Sequence, residues 1–581
     1  MSAQELITEH LDLWTGAVSK KSSSGRGSNG KVELTGVKKL RELILELAVR
    51  GKLVEQDPAE EPARALLERV RAEKLRLVKQ GEIKKPRKLP GLSELTIPFP
   101  LPENWEWAQL EDVGRDWSQK TPSSDFSYID VASVDNLRGV TTQASILSAD
   151  EAPSRARKVV HRGTLIYSTV RPYLQNIAVV EREIEPEPIA STAFAILYPL
   201  SGMPARFFLH YLRSPVFVKY VESVQTGIAY PAINDKQFFS GVVPIPPLEE
   251  QHRIVQKVDE LMALCDRLEQ QTSDQLEAHK TLVDTLLGTL TQSENATELA
   301  DNWARLAAHF DTLFTTEQSI DKLKQAILRL AFMGLLSSPS RPDPCEAVIL
   351  DEATSYRSKS GNTAGEHSRL SRFNEDEVPF DIPERWQWVK LGQLFEITSS
   401  KRVHARDYVS AGVPFYRSKE IGELQAGRSI STDLFISKER YEELSKQSGF
   451  PTEGDLMLTS VGTIGNTWIA DGRAFYYKDG NITKISKTPR FEMRLLQHFI
   501  KSPVFRQAAT STVSGTAYNA LTIVKLKNIP VPLIPLREQE LILKKVDELM
   551  VLCDQLKERL NQASATRCQL AEAIVEQGLS A

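Results

Sequence analysis

Leu248 to Leu268 reads LEEQHRIVQKVDELMALCDRL, and Leu536 to Leu556 reads LREQELILKKVDELMVLCDQL. Ile254, Val258, Leu261, Cys265 and Leu268 alternate by four and three, and so do Ile542, Val546, Leu549, Cys553 and Leu556, with Leu560 beyond them. That spacing is the seam of a coiled coil and predicts two long helices. In the first helix the stripe is expected to resume at Leu282 and Leu286. The entries PIPPLEEQ and PLIPLREQ put prolines just ahead of each helix, where a missing N–H does no harm. At 1.5 Å per residue, about 40 residues of helix reach on the order of 60 Å, enough to hold two domains apart.

The repetition extends outward from these helices. LRELILELAVRGKL from Leu40 returns as LKQAILRLAFMGLL from Leu323, and PFPLPENWEWAQL from Pro98 returns as PFDIPERWQWVKL from Pro379. RSPVF at Arg213 matches KSPVF at Lys501, and TGIAYPAI at Thr226 matches SGTAYNAL at Ser514. Five blocks in one order, at offsets of 281 to 288, make the chain a duplication of a unit of about 285 residues. Between the blocks the copies diverge: YIDVASVDNLRGVTTQ faces SKRVHARDYVSAGVPFYRSKEI. One scaffold carries two different surfaces.

A shorter helix in each copy has Leu40, Ile44 and Leu47, or Leu323, Ile327 and Leu330, on one face. These positions suit packing on the long helices, with Leu40, Leu47, Leu323 and Leu330 joining Ile254, Val258, Leu261, Cys265, Ile542, Val546, Leu549 and Cys553 as partner positions. Gly51 and Gly334 stand where a left-handed residue ends a helix. Residues 98–247 and 378–535 are rich in short β-like runs such as GTLIYSTV and GDLMLTSV, with a helical stretch before each SPVF. The expected fold is a multidomain α+β or α/β chain with internal pseudo-two-fold duplication, its two globular domains separated by coiled-coil helices. Its parts are a helical region 1–97 with a Ser/Gly linker at 20–31, a globular domain 98–247, a helical region 248–377, a second globular domain 378–535 and a final helix 536–581.

The chain has 581 residues, 41% hydrophobic and 25% charged, which suits several ordinary globular domains and excludes a collagen or a disordered chain. Apolar runs such as FAIL at Phe194 to Leu197 fall far short of the roughly 18–20 residues that span a bilayer, and the start MSAQELITEH has no secretory pattern, so a cytoplasmic protein is expected. Cys265, Cys345, Cys553 and Cys568 are widely spaced, without C-x-x-C or H-E-x-x-H, so neither a disulfide framework nor a metal site is expected. Cys265 and Cys553 sit on the seam, where a thiol serves as a small apolar side chain. The net charge of −4 hides an asymmetry: residues 248–377 carry 13 Lys+Arg against 23 Asp+Glu, a net −10, while 378–535 carry 21 against 15, a net +6. A near-neutral total therefore does not exclude nucleic acid.

GRGSNG at Gly25–Gly30, followed by Lys31, approaches a phosphate loop, but Val32 stands where Ser or Thr should be and no strand precedes it. A flexible linker is the expectation. No N-P-P-[YF] or D-P-P-[YF] tetrapeptide of an adenine aminomethylase occurs, and no catalytic residue is assigned. Trp105, Trp107, Trp386 and Trp388, spaced W-x-W, suit a core strand better than a base-stacking platform. The candidates for DNA contact are Arg155, Arg157, Lys158, Arg171, Tyr173, Gln175, Asn176 and Tyr230 in the first copy. In the second they are Lys401, Arg402, Arg406, Arg417, Lys419, Tyr518 and Asn519, with His404, Tyr408 and Tyr416 interleaved. Arg and Lys meet guanine edges or phosphates, and Asn and Gln meet adenine; taken singly, each is more readily read as a solvated surface group.

Assembled, the helix ends Gly51–Leu53 and Gly334–Leu336, the IPFPLPENWEWAQL and VPFDIPERWQWVKLG blocks and the doubled P-L-x-E-Q entry resemble the DNA-specificity (S) subunit of type I restriction-modification enzymes. The resemblance covers nearly the whole chain, and ITEHLDLW near its start, echoed by AHFDTLF at Ala308, is similar to the longer members. It implies a non-catalytic reader of double-stranded DNA with two target recognition domains, each for one half of a bipartite asymmetric site, and an antiparallel coiled coil that sets the spacer. It implies two methyltransferase subunits and two restriction/translocase subunits as partners, which would bring S-adenosylmethionine, ATP and Mg2+. The setting implied is bacterial or archaeal cytoplasm, at the nucleoid when DNA-bound. Two readers on one pseudo-symmetric frame would meet DNA about one turn (~34 Å) apart. The rival from another class is a stand-alone DNA-binding scaffold or transcriptional regulator built on the same frame.

Overall fold

The computed structural model describes residues 7–20, 32–83, 85–87, 89–227, 229–293, 295–336, 378–511 and 520–580. The chain forms two compact units, Met1–Leu276 with Gln562–Ala581, and Glu277–Asn561. The expected long helices are Leu248–Thr291 and Leu536–Ser580, 44 and 45 residues, and each begins in one unit and ends in the other.

In the first unit the helix Thr35–Val49 gives their directions. Its Arg41 donates to Asp266 and Glu269, both at 2.6 Å, while Gly51 beyond its end lies against Trp105, whose indole N–H donates to Glu250 at 3.0 Å. Climbing this helix descends the first long one. Val18, beside its start, accepts from Ser564 Oγ at 2.7 Å, and Lys52 past its end donates to the Leu579 carbonyl at 3.0 Å, so the second long helix is climbed with it. The two long helices therefore run antiparallel.

The second unit repeats the arrangement with the roles exchanged. Along Glu317–Phe332, Lys557 pairs with Asp321 at 2.8 Å near the start and Trp386, against Gly334, donates to Glu538 at 2.8 Å past the end. The last part of the first long helix runs alongside in the same sense, His279 reaching the Thr312 carbonyl at 3.1 Å and Asp284 pairing with Lys322.

Leu40, Leu47, Ile254, Val258, Leu261 and Cys265 share one buried cluster with Ala571 and Ile574; Leu323, Leu330 and Cys553 share another with Val283, Leu287 and Leu290, and Leu549 packs against it. Ile542 and Val546 belong to the core of the second globular domain. Each such Leu or Ile contributes about 1.5–3 kcal/mol on burial. Burial holds the Cys265 thiol up at about 11 and raises that of Cys553, so both pack as apolar groups. Cys345 lies outside the described residues. In the last third of the first helix Leu286 packs on the buried cluster as expected, but Leu282 is 51% exposed, and Val283, Leu287 and Leu290 turn inward. The straight helix drifts against a strict seven-residue repeat, and by Glu277 its neighbours are those of the second unit.

Gly51 and Gly334 stop their helices with φ of +71° and +77°, and the next N–H of each reaches back five residues, Lys52 to the Leu47 carbonyl at 2.9 Å and Leu335 to the Leu330 carbonyl at 3.0 Å. The W-x-W blocks are strands. Glu106–Gln109 pairs antiparallel with Val242–Ile245, and Gln387–Lys390 with Pro530–Leu533, so each globular domain closes its entrance on its exit at the root of a long helix. These two-stranded sheets are all edge, where proline in a strand is tolerated. In the P-L-x-E-Q entries the glutamate receives the tryptophan N–H, and the buried glutamine donates to the carbonyl of Pro246 at 3.0 Å or Ile534 at 2.7 Å.

Both globular domains hold a four-stranded antiparallel core. In the first it is Gly114–Arg115, Phe194–Pro199, Leu165–Ser168 and Ile177–Val179, in that order; in the second it is Ile397–Ser399, Ile482–Ile485, Leu456–Thr459 and Thr467–Ile469. Leu165 opposes Leu197, and Leu456 opposes Ile485. The expected helices before SPVF are Ala205–Arg213 and Met493–Lys501, and each SPVF starts another helix with Ser214 or Ser502 accepting the Phe217 or Phe505 N–H. No helix of the described residues is long and apolar enough to cross a membrane. Residues 21–31, with the glycine-rich stretch, lie outside the described residues; their flanks Ser19–Lys20 and Val32–Glu33 pair as a two-stranded sheet.

Candidate nucleic-acid interface

In the first domain two of the candidate blocks come together. After the buried strand Leu165–Ser168 the chain leaves the core: Val170 bridges to Ala232, and the Arg171 N–H donates to the Pro231 carbonyl at 2.9 Å. Arg171 and Gln175 both take left-handed backbone, φ +49° and +51°, on either side of the single turn Pro172–Leu174. A side chain in that conformation costs about 1 kcal/mol, so two in five residues mark a turn held by its surroundings. The Arg171 guanidinium lies 5.1 Å from the centre of the Tyr230 ring. Tyr230 is 69% exposed and Tyr173 is 56% exposed, so a cation and two aromatic faces share an open surface. Gly227, φ +91°, belongs to the loop that carries Tyr230, and a Cβ there would lie 2.8 Å from the Tyr230 carbonyl oxygen. Gln175 and Asn176 are half-buried at the edge of this surface.

The other block of the first domain separates by strand alternation. It lies on Ala156–Val159, in a second sheet ordered Ser145–Leu147, Phe126–Ile129, Pro188–Ser191, Ala156–Val159. Arg155 is exposed and Arg157 half-buried, bonding the Ala156 carbonyl at 3.0 Å. Lys158 points inward and donates to the Phe194 carbonyl at 2.6 Å and to Asp235 at 2.8 Å. Its ammonium ties strand to helix and is withdrawn from the set of DNA contacts.

In the second domain Lys401, Arg402, His404 and Arg406 are exposed on the loop after Ile397–Ser399, with Arg402 3.4 Å from Asp479. Lys419 is exposed, 4.0 Å from Glu423. Arg417 is withdrawn too. It precedes the helix Ser418–Gln425 and donates to buried Glu420 at 2.8 Å and to Asp433 at 3.2 Å. Burial works against the Glu420 charge, but the Arg417 bonds prevail and hold its carboxyl below the usual range. Tyr416 is core, stacked on Phe475 at 4.7 Å, and Tyr408 is half-buried against Phe415. Tyr518 and Asn519 lie outside the described residues.

Two features escaped the sequence reading. Arg206 and His210 face Asp259 at 3.0 and 3.1 Å, and, 288 residues on, Arg494 and His498 face Asp547 at 2.8 and 3.0 Å. Each trio fastens the helix before SPVF to a long helix. Burial lowers the pKa of both histidines despite the adjacent carboxylate. The signal was present in ARFFLHYLR and MRLLQHFIK, which share only Arg and His at the right spacing. The second is Arg213 of RSPVF. Burial pulls its pKa down to about 10, and it donates to the carbonyls of Asn136, Leu137 and Ile177. Among the described residues no cluster of three or more His, Cys, Asp or Glu could hold a metal ion.

Residues 102–278 and 383–563 match the family described as the type I restriction modification DNA specificity domain. Across the full length of both chains this one is 33% identical to the type I restriction enzyme EcoAI specificity subunit of Escherichia coli, and likewise 33% identical to the EcoEI specificity subunit of the same organism. A chain solved in work on complex assembly and conformational transition of the type I R-M system superposes with a TM-score of 0.51 over 83% of this chain and 99% of its own, at 22% identity, which is a likeness of fold. The family spans both copies of the repeat, and the relatives match end to end: the chain belongs to the specificity subunits of type I restriction-modification systems.

Proposed function

We propose that this subunit reads a bipartite, asymmetric double-stranded DNA site, one recognition domain to each half. The observation that carries the reading is a pair of domains with one core sheet and one set of anchors, Trp105 to Glu250 and Trp386 to Glu538, but with unlike surfaces. Like anchors give like docking; unlike surfaces give unlike half-sites. Exposed Arg155, Arg171, Lys401 and Arg406 supply cations for phosphates or base edges. Two methyltransferase subunits dock on the helical regions and two restriction subunits join them. A shallow groove lined by Arg494, Leu543, Asp547, Val551 and Leu552, with Val551 and Leu552 exposed, supports docking along the second long helix. S-adenosylmethionine, ATP and Mg2+ are bound by those partners, and catalysis is theirs. The complex works in the cytoplasm, on the nucleoid when bound.

The test is an exchange. Residues 98–247 are replaced by the matching domain of a relative, the chimaera is assembled with its methyltransferase subunits, and the methylated sites are sequenced. One half of the site is expected to change and the other to persist; a change in both halves, or in neither, contradicts one domain per half-site.

A further inference from the structure

The two recognition domains part company at one edge of their common core. In the first, Ile177–Val179 is extended by a parallel strand, Val140–Thr141, which turns back on Val134–Asp135. In the second, the helix Ser418–Gln425 packs on the equivalent strand Thr467–Ile469, and no hairpin of this kind joins the sheet among the described residues. Surfaces that differ between two copies of one scaffold are where their ligands differ.

The hairpin tip is Asn136, Leu137, Arg138 and Gly139. Leu137 is 87% exposed, the highest value of any large apolar side chain among the described residues. A lone exposed leucine needs no explanation, but this one is held out by a rigid turn. Asp135 Oδ1 accepts the N–H of Leu137 and of Arg138, both at 3.0 Å, and the Gly139 N–H closes on the Asp135 carbonyl at 2.8 Å. Gly139 has φ +71°, and a Cβ there would lie 2.6 Å from Leu209 Cδ2. From beneath, Arg213 grips the carbonyls of Asn136 and Leu137, and the Asn136 amide reaches the Leu174 carbonyl at 3.4 Å. The last bond joins the tip to the turn that presents Arg171 and Tyr173. The Arg138 side chain is exposed, its guanidinium 3.9 Å from Asp135. A half-buried cation and a left-handed glycine hold one leucine outward, next to the exposed Arg138, at the sheet edge where the domains differ.

We propose that Leu137 is a specificity-determining residue, contacting the 5-methyl group of a thymine in the major groove of the half-site read by the first domain, with Arg138 on an adjacent phosphate. The thymine methyl is the one apolar group on the major-groove edge, and a rigid aliphatic side chain at base level matches it. Exposed Arg138 next to it, and Arg171 on the turn that Asn136 joins to the tip, favour the polyanion over an apolar protein partner. The inference rests on the DNA-reading function proposed above.

The experiment uses the subunit assembled with its methyltransferase partners and a duplex of its methylated sequence. Thymines of each half-site are replaced one at a time by deoxyuridine, which removes only the methyl, and affinity is measured for the parent and for Leu137→Ala. At one position of the first domain's half-site the parent is expected to lose about fourfold in affinity, the worth of one buried methyl, and Leu137→Ala to be insensitive to the change. Arg138→Ala is expected to weaken binding to all sequences alike and to flatten the salt dependence by about one ion. If the parent complex shows no preference for its methylated sequence, the DNA-reading function itself falls. If the preference is present but Leu137→Ala binds and discriminates as the parent does, or loses affinity with no uracil-sensitive position, or alters the other half-site, the thymine assignment alone is overturned.

Discussion

At the residue scale the two histidine trios show how one buried group makes stability depend on pH. His210 is buried where the Helix Ala205–Arg213 meets the long helix, with Asp259, Arg206 and Arg213 as its charged neighbours; His498 has Asp547, Arg494 and Lys501. Burial is the largest influence and lowers both pKa values from 6.5; the carboxylate raises them and the arginines and lysine lower them again. A histidine that binds its proton less readily when folded stabilises the fold fully above the unfolded value, and that contribution is lost as pH falls from about 6.5 towards the folded value. Thermal midpoints measured from pH 7.5 down to 5.5 are expected to fall for the parent chain. The double variant His210→Gln, His498→Gln should start lower at pH 7.5, by about 1 kcal/mol for each lost contact to a carboxylate, and decline less on acidification. An equal decline in both proteins would show that these rings do not set the acid limit.

At the element scale the helix stops carry the junction between the repeated helices and the recognition domains. A Cβ on Gly51 would lie 2.7 Å from Pro102 Cγ, and one on Gly334 would lie 2.5 Å from Pro383 Cγ, in addition to the left-handed backbone. Gly51→Ala and Gly334→Ala are each expected to cost about 1–2 kcal/mol for the backbone alone and more for the contact, read as a lower denaturant midpoint. A midpoint equal to the parent's would mean that the turn opens freely. These elements were legible in the sequence because seam spacing, glycine stops and W-x-W are local patterns that survive duplication. The interface was legible only in part. Arg157 and Lys158 are neighbours, and only the pairing of their strand with Pro188–Ser191 decides which one faces inward. Leu282 and Val283 likewise differ by one step of helix phase, set by what the helix packs against. Arg417 was open to reading, since Glu420 three residues on suits a helix start, whereas nothing in a single leucine at Leu137 foretells a turn clamped by Arg213 from 76 residues away.

At the scale of the whole molecule, duplication gives one chain two units with like anchors and unlike recognition domains. The chain passes between its two units at Leu276 to Glu277 and at Asn561 to Gln562, and both crossings fall inside long helices that run antiparallel. A helix has a fixed rise, so on the proposed reading of two half-sites the helix length sets the DNA spacer between them. Seven residues inserted at both crossings add about 10 Å and keep the seam near its original phase. That length matches roughly three base pairs at 3.4 Å each. Assembled with its methyltransferase partners, the lengthened subunit is expected to methylate sites whose two halves are unchanged and whose spacer has grown by about three base pairs. A single-crossing insertion puts one helix out of register with the other and should lower stability instead. If the doubly lengthened protein kept the parent spacer at parent affinity, the helices would be a tether between two independent readers, and the spacer would have to be set by the partners that clasp them.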